Sequence, residues 1–358
     1  MPAGENALRV GLIGCGDIAR AVHLDALARC PHVRLTALAE SRPDRLADAA
    51  RRAPGAATFA DYRDLLGSAD VDAVLVALPP RLHAEVASAA FEARRHVYLE
   101  KPIATSLADA SRVVEAWRAS GRVGMAGFNG RFNPLYRKAA DCLRAGRLGE
   151  LVAARSSLSC ADRPVPDWKR SREHGGGALL DLASHHADLV RFLFGREVRE
   201  VFADARSLSS EGDVAAVQLR LDDGLIVQSL FSLRAVDEDR FEVYGRAGKL
   251  TVDRRESFDL EVTEQTATRT RLGWLGRALA SLARSPNLAA RLAAPSREPA
   301  YDAAIERFAL AARGSAPPGP DLEDGYRSLQ IVLAAEESAR TGRPVTLAPR
   351  PHESSARA

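Results

Sequence analysis

The sequence lacks the features of three large classes of protein. No run among its 358 residues approaches the roughly 18 to 20 apolar residues that cross a bilayer, so the sequence predicts no membrane segment. The 50 basic and 47 acidic residues are interspersed without a groove-reading motif, which predicts no nucleic-acid interface. Residues 1–7 lack the basic flank and apolar core of a signal peptide, so we expect a cytoplasmic protein.

Cysteine and lysine are both scarce. The four cysteines lie far apart, with no CxxC pair and no cluster with histidine, which argues against a disulfide framework and predicts no metal site. Only four of the 50 basic residues are lysine, and the rest are arginine. A lysine here calls for a chemical explanation, because an ammonium group is compact and can lose its proton when desolvated, whereas guanidinium stays protonated.

Short apolar runs alternate with helical patterns over residues 8–128. The runs lie at 8–13, 33–39, 71–78, 96–99 and 123–128, and the helical patterns lie at 18–29, 43–52, 83–93 and 107–120. Strands that are buried on both faces and joined by crossover helices form a doubly wound parallel sheet. The sequence therefore predicts an α/β fold whose first domain, residues 1–130, has this sheet.

The pattern changes after residue 130. A helix at 134–145, a strand at 151–159 and strand-like runs between 198 and 263, several of them separated by hairpin turns, predict an α+β domain with a largely antiparallel sheet. Helical patterns follow at 274–294, 301–312 and 322–341. We assign residues 131–349 to this second domain, with a helical insert at about 270–298 that forms two short amphipathic helices. Residues 350–358 are a tail.

The first strand leads into a glycine-rich turn and then a helix. The candidate binding residues of this turn are Gly11, Gly14, Gly16, Asp17, Ile18 and Ala19. Gly14 permits the tight turn, Gly16 lets the backbone approach a pyrophosphate, and the small Ala19 allows helix and strand to pack closely. The helix N-terminus offers free N–H groups to the phosphates. Directly after the first strand of a βαβ unit, this motif predicts a dinucleotide-binding Rossmann domain.

The end of the second strand bears on the choice of dinucleotide. Glu40 lies where the ribose-binding acid of such folds is expected, about 20 residues beyond the glycines, and its charge would repel a 2′-phosphate. Ser41 and Arg42 follow directly, and Arg42 would instead pair with the 2′-phosphate of NADP. A solvated helix cap also fits these residues. We favour NAD, with NADP as the alternative.

Two further motifs carry the candidate chemistry. The fifth strand ends in Glu100 and Lys101, and ligands of doubly wound sheets bind outside the carboxyl ends of the strands, so Lys101 is predicted at the nicotinamide. In the glycine-rich segment 175–188, Asp181 and His185 are four residues apart and share one helical face. A histidine can exchange the proton of a substrate hydroxyl, and a carboxylate can orient it. His186 lies about 100° round the helix and is interpreted as structural.

Together these motifs resemble the Gfo/Idh/MocA family (glucose-fructose oxidoreductase, inositol dehydrogenase and MocA). The resemblance runs through GLIGCGDIA, LPPRLHAE, EKP, GFNGRFNP, GGGALLDLASHHADL and the segment 321–345. It implies NAD(P)-dependent oxidation or reduction of a CH–OH group of a sugar, cyclitol or sugar nucleotide. Lys101, Asp181 and His185 would be the catalytic group, and a cis bond would join Lys101 to Pro102.

The resemblance also implies the neighbours of this group. The residues that would line the cofactor site are Leu78, Pro79, His83, Glu100 and Asn129, and Arg131 would join the substrate site. Trp168, Lys169 and Arg170 are candidates to pack on and hydrogen-bond a sugar ring, and Arg170 to bind a phosphate, although a surface loop explains them equally well. A homodimer or homotetramer formed through the sheet of the second domain is expected.

Three functions remain open from the sequence. In a sugar or cyclitol dehydrogenase, His185 takes the hydroxyl proton, Lys101 stabilises the oxygen, and hydride passes to the nicotinamide. The same residues suit an NAD-assisted cleavage of glycosides through a transient 3-keto sugar. A non-catalytic protein that senses dinucleotides would use the fold alone and would need no catalytic lysine.

Overall fold

The computed structural model describes residues 7–68, 70–161, 166–264 and 298–348. These residues form two compact units. The first contains the described residues up to Asn133, Glu173–Gly175, and those from 298 to Leu329; the second contains the others. The two amphipathic helices predicted for the insert, and the predicted tail, lie outside the described residues.

A parallel sheet forms the centre of the first unit. Its strands are β1 (Leu8–Ile13), β2 (Val33–Ala39), β3 (Ala57–Phe59), β4 (Ala73–Val76), β5 (His96–Leu99) and β6 (Gly124–Ala126). They lie in the order β3-β2-β1-β4-β5-β6, and every neighbouring pair is parallel. The order reverses at β1, which confirms the doubly wound sheet and brings the turns after β1, β2, β4 and β5 to one edge.

A second sheet forms the other unit. Its strands are β7 (Leu151–Ser159), β8 (Val198–Arg206), β9 (Val214–Leu221), β10 (Ile226–Ser232), β11 (Glu238–Gly245), β12 (Gly248–Asp253), β13 (Glu261–Glu264) and β14 (Val345–Thr346). They lie in the order β13-β12-β11-β7-β10-β9-β8-β14. Only β7 and β10 pair in parallel, so the largely antiparallel sheet is also confirmed.

Helices connect and cover the strands. The described α-helices are α1 (Leu24–Arg29), α2 (Pro43–Arg52), α3 (Tyr62–Gly67), α4 (His83–Glu92), α5 (Leu107–Ser120), α6 (Pro134–Arg144), α7 (Ser184–Phe194), α8 (Pro299–Ala312) and α9 (Leu322–Thr341). A π-helical turn directly precedes α1 and another precedes α7, at Ala19–His23 and Leu179–Ala183. Such turns are often found at functional sites, and both lie within motifs that the sequence singles out.

The division of the chain differs from the predicted boundary at residue 130. The sequence pattern places the segment of α8 in the second domain, but its Ala304, Ile305 and Phe308 are buried in the same apolar cluster as β1 and α1 of the first unit. The described part of α9 up to Leu329 belongs to the first unit as well. Burial of these apolar side chains therefore returns the chain to the first unit after β13, before β14 completes the second sheet.

Among the described residues, no helix is both long enough and apolar enough to cross a membrane.

Candidate active site

The turn after β1 requires glycine at position 14. Gly14 has φ +92°, and a Cβ atom there would lie 2.5 Å from the carbonyl oxygen of Ala77. Its backbone N–H donates to the carbonyl oxygen of Ala39 at 2.8 Å. The close approach of three chain segments thus leaves no room for a side chain, and any other residue would also be strained at this positive φ.

Gly16 differs, because protein atoms leave space beside it. Apart from its chain neighbours, a Cβ atom at Gly16 would meet only the Nη1 atom of Arg45, at 3.7 Å. Packing therefore does not explain this glycine, and the open space is compatible with the predicted approach of a pyrophosphate. Arg45 is half-buried, and within the described residues its side chain has no hydrogen-bond or ion-pair partner. No pattern in the sequence distinguishes Arg45 from the other arginines.

The other predicted residues of this turn have local partners. A Cβ atom at Gly11 would lie 2.8 Å from the side chain of Leu65, so packing accounts for this glycine. Asp17 is exposed and its carboxylate accepts from Arg20 at 2.6 Å. Ile18 packs partly against the apolar core and Ala19 is fully buried within it. The roles of these residues toward a dinucleotide remain predictions.

Glu40 lies against the glycine turn, as its predicted role requires. Its Oε2 atom accepts from the backbone N–H of Cys15 at 2.9 Å, and its Oε1 atom accepts from the backbone N–H of Arg42 at 3.0 Å. The Ser41 hydroxyl lies 3.4 Å from Oε1. The guanidinium of Arg42 binds Asp44 instead, with Nη2 at 2.9 Å from Oδ2, and both side chains are exposed. The guanidinium of Arg42 is thus already bound to a carboxylate at the protein surface, at the start of α2.

Glu100, the residue before Lys101, contacts a buried histidine. Glu100 is 7% exposed, its Oε1 lies 2.8 Å from Nε2 of the fully buried His23, and its Oε2 accepts from the Lys101 backbone N–H at 3.1 Å. Burial raises the pKa of Glu100, but the hydrogen bond from His23 and the charges of His23 and Lys101 outweigh it and hold this pKa below its ordinary value. No pattern in the sequence points to His23 as the partner of Glu100.

The segment after β5 is fixed by a second buried histidine. The bond between Lys101 and Pro102 is cis, which confirms what the family resemblance implies. His83 is buried, and its ring nitrogens face the carbonyl oxygens of Pro102 and Leu78 at 2.7 and 2.8 Å. Burial lowers the pKa of His83, although these carbonyl groups oppose the shift. His83 therefore links the turn after β4 to the turn after β5. The half-buried Pro79 follows Leu78 in the turn after β4.

Two predicted residues lie just beyond β6. Asn129 is buried at the start of a 3₁₀ turn, Asn129–Phe132. Arg131 makes a two-point ion pair with Asp324 of α9, with both N–O distances at 3.0 Å. This contact supports the start of α9, and a role of Arg131 toward substrate remains a prediction.

Asp181 has a cationic partner that the sequence did not predict. Asp181 lies in the π-helical turn before α7, and its Oδ2 accepts from Nζ of Lys169 at 2.7 Å. Asp181 is 9% exposed, whereas His185, on the first turn of α7, is half-buried. Lys169 is one of the candidate substrate residues, but no pattern in the sequence predicts its contact with Asp181.

His186 belongs to a buried network, as predicted. Its Nδ1 lies 3.0 Å from the Ser156 hydroxyl and its Nε2 lies 3.1 Å from Oδ1 of Asp239. Asp239 also accepts from Tyr136 and Arg254. Burial raises the pKa of Asp239, but the charge of Arg254 and the bonds from His186 and Tyr136 lower it well below its usual range. This network joins α6 and α7 to the sheet.

The segment before the glycine-rich motif is held in place by its backbone. Residues Asp167–Arg170 form a 3₁₀ turn, and a Cβ atom at Gly176 would lie 2.2 Å from the carbonyl oxygen of Lys169. Trp168 is half-buried, and the Nζ atom of Lys169 lies 5.3 Å from the centroid of the Trp168 ring. Arg170 is exposed. Substrate contacts of Trp168 and Arg170 remain predictions.

The fold and the glycine turn define a dinucleotide-binding domain, and comparison with known proteins shows that it belongs to an oxidoreductase family. Residues 8–128 match the oxidoreductase family with an NAD-binding Rossmann fold, and residues 136–251 match the GFO/IDH/MocA C-terminal domain. The chain therefore belongs to the Gfo/Idh/MocA family.

Relatives in this family act on different substrates. The chain is 29% identical to myo-inositol 2-dehydrogenase from Thermotoga maritima, over 95% of this chain and 98% of the relative. It is 33% identical to dTDP-3,4-didehydro-2,6-dideoxy-alpha-D-glucose 3-reductase from Actinomadura kijaniata, over 71% of this chain and 76% of the relative. The solved structure of levoglucosan dehydrogenase with NADH and levoglucosan superposes with a TM-score of 0.81 at 25% identity, over 96% of this chain and 100% of that chain.

Proposed function

We propose that this protein is an NAD-dependent dehydrogenase or reductase acting on a secondary alcohol or ketone of a sugar, cyclitol or sugar nucleotide. The observation that carries the proposal is the position of Lys101, which follows the buried Glu100 at the carboxyl end of β5 in an NAD-binding Rossmann domain. The relatives named above support the substrate class, because they include an inositol dehydrogenase and a sugar-nucleotide reductase.

The residues present fit a dinucleotide. The open space at Gly16 allows the backbone to approach a pyrophosphate, and the N–H groups that a helix N-terminus leaves free would bind its oxygens. Glu40 would accept the ribose hydroxyls, and its charge would oppose the 2′-phosphate of NADP. Arg42 is paired with Asp44 and so offers less to that phosphate. These features support NAD over NADP.

Three side chains would carry out the proton and charge steps. When bound, NAD supplies the hydride acceptor or donor. In the direction of oxidation, His185 would accept the proton of the substrate hydroxyl while Asp181 orients the imidazole. The Lys101 ammonium would stabilise the negative charge that develops on the same oxygen. In the direction of reduction, His185 would return the proton.

The substrate class is tested by a screen of cyclitols, sugars and sugar nucleotides with NAD and with NADP, in which the absorbance of the reduced nicotinamide is followed. We expect NAD reduction with at least one compound of these classes. Cleavage of a glycoside without net formation of NADH would instead favour the retained-cofactor reaction. Tight NAD binding without turnover of any compound would favour a dinucleotide sensor.

The catalytic assignment is tested with Lys101→Ala and His185→Ala. Loss of a positioned acid, base or charge costs roughly 10²- to 10⁴-fold in rate, so we expect both variants to lose turnover while they still bind NAD. Lys249→Ala is the matched control, because Lys249 is bound to Glu242 in the second sheet. Near-normal turnover of both variants would disprove the assignment.

We also propose a homodimer or homotetramer formed through one face of the second sheet. This face carries the exposed apolar side chains of Phe202 and Leu230, which are 42% and 48% exposed. It also carries the exposed side chain of Arg155, which could meet a carboxylate of a second copy related by a two-fold axis. We expect Leu230→Arg to lower the mass measured by light scattering; an unchanged mass would count against this interface.

A further inference from the structure

Lysine positions in this arginine-rich chain follow a chemical pattern. In the second unit, the three lysines each bind a carboxylate: Lys138 binds Asp259, Lys249 binds Glu242, and Lys169 binds Asp181. The first two pairs support the sheet and its connections. Lys169 alone binds a residue that we place in the catalytic group, so its role can be separated from that of the other two.

The backbone of Lys169 is fixed on both sides. Its N–H donates to the carbonyl oxygen of Pro166 at 2.9 Å, and its own carbonyl group packs so closely on Gly176 that a Cβ atom there would collide with it. Gly176 in turn donates its N–H to the Ser171 carbonyl oxygen at 2.9 Å. The glycine-rich motif therefore sets where the ammonium lies, which ties Lys169 to the turn that carries Asp181.

A lysine suits this position better than the arginine that the chain uses elsewhere. A guanidinium commonly binds both oxygens of a carboxylate in a planar fork, whereas an ammonium is a point charge that binds one oxygen. Lys169 binds Oδ2 of Asp181. A carboxylate offers about four acceptor sites, so this bond is compatible with a second one to His185, one helical turn further on.

We propose that Lys169 is a positioning residue for catalysis, which holds Asp181 in place and shares its negative charge with His185. The proposal rests on the proposed roles of Asp181 and His185. Its consequence is that the ammonium of Lys169 offsets part of the negative charge that Asp181 places beside His185, the proton acceptor. With Lys169 present, Asp181 favours the imidazolium form of His185 only partly, so His185 can be neutral and accept a proton near neutral pH.

Removing the ammonium would change the charge beside His185 in a known direction. The carboxylate would then act on His185 alone, and an uncompensated negative charge favours the protonated imidazole. In the second unit, the other ionisable groups on this turn and on the segments bonded to it include Asp188 and His186 on α7, Arg170 and Arg172 beside Lys169, and Glu211. His186 is bound to Asp239, the guanidinium of Arg172 is bound to Glu336, and Glu211 accepts from the Arg172 backbone N–H. These charges are the same in the wild type and in a variant at position 169, so the pKa of His185 should rise when the ammonium is removed.

The test follows the His185 imidazole directly by NMR in protein with ¹³C-labelled histidine and saturating NAD, assigned by its absence in His185→Gln. For Lys169→Met we expect the His185 titration to move up by about one pH unit. Lys169→Arg should keep the wild-type midpoint but lower kcat, because its charge remains while its fork competes for the second oxygen. Lys249→Met, the matched control, should leave the midpoint unchanged.

An unchanged His185 midpoint in Lys169→Met, with a lower Tm, would show a merely structural ion pair and overturn the proposal. If Lys169→Met does not fold, Lys169→Gln serves as the same test. The proposed function is judged separately, by wild-type turnover in the substrate screen and its loss in His185→Gln. A wild type without turnover would reject the function, whereas an active wild type with an unmoved His185 titration would reject only the role of Lys169.

Discussion

The Glu40 carboxylate is hydrogen-bonded to the backbone N–H of Cys15, within the glycine turn, at 2.9 Å. The end of β2 and the phosphate-binding turn after β1 are therefore directly connected. The residue that we propose to bind the adenosine ribose and the turn that we propose to bind the pyrophosphate are thus held at one edge of the sheet. The Glu40 carboxylate therefore stabilises the arrangement of these two segments independently of any ligand.

Glu40→Gln tests which dinucleotide this arrangement selects. Glutamine still offers an oxygen to the Cys15 N–H, but it cannot repel a 2′-phosphate and accepts ribose hydroxyls less strongly. Because hydrogen bonds to charged groups contribute about 1.5 to 3 kcal/mol, we expect NAD affinity to fall roughly 10-fold and NADP affinity to rise. Calorimetric titration with both dinucleotides measures this. A wild type that binds NADP more tightly than NAD would contradict the prediction.

Arg45→Ala tests the cation beside the glycine turn. Arg45 lies near Gly16, where the pyrophosphate common to both dinucleotides is expected, so its loss should weaken NAD, NADP and ADP alike, by about 3- to 10-fold. Arg42→Ala is the matched control and should leave NAD affinity unchanged, because Arg42 is bound to Asp44. If Arg45→Ala weakened NADP alone, Arg45 would be a 2′-phosphate ligand instead.

Two glycines of one turn should respond differently to the same substitution. Gly14→Ala places a Cβ atom 2.5 Å from the Ala77 carbonyl oxygen at φ +92°, so we expect a loss of about 2 kcal/mol or more in the free energy of unfolding. Gly16→Ala meets only Arg45 and should unfold near the wild-type temperature but bind NAD poorly. Thermal unfolding and NAD titration separate the two effects. Equal losses of Tm would show that Gly16 also serves packing.

Glu242 makes the second sheet sensitive to acid. Burial raises the pKa of Glu242, but hydrogen bonds from Arg155, Lys249 and Arg240 outweigh it and lower the pKa from 4.5 to about 2. A lowered pKa in the folded state means that ionised Glu242 stabilises the protein fully above about pH 4.5 and loses this contribution as the pH falls toward 2.

Glu242→Gln should therefore be less stable than the wild type by roughly 2 kcal/mol at pH 7, and the difference should shrink as the pH falls from 5 toward 3. Urea unfolding at several pH values measures it. Glu261→Gln, at an exposed position of β13, is the control and should have little effect at any pH. A difference that stays constant down to pH 3 would mean that Glu242 does not ionise with the lowered pKa.

Sequence patterns identified the long, regular elements well. The predicted bounds of β1, β2, β5, α2 and α5 agree with the structure, because apolar runs and helical spacing are strong there. The short strand β3 and helix α3 were not predicted. β3 has three residues and β14 has two, too few to show a period, and both are defined by pairing with a neighbouring strand.

The site was predictable where a motif is continuous in sequence. The glycine turn and the contact of Glu40 with it follow from the order of strands in a doubly wound sheet. The partners His23 of Glu100 and Lys169 of Asp181 are 77 and 12 residues away from them in sequence. These contacts depend on side-chain packing between separate segments, which no local pattern encodes.

The adjacent histidines at 185 and 186 matter for redesign of the enzyme toward other substrates. His186 is 1% exposed and bound to Asp239 and Ser156, so a mutant library that varies it would mostly yield unfolded protein. Position 185 is half-buried and faces no such constraint from that network. Insertion of one residue between Asp181 and His185 would turn the following helix by about 100°, so that His185 would face where His186 now lies and His186 would turn away from its partners. Variation of this motif is therefore restricted to replacement at fixed length.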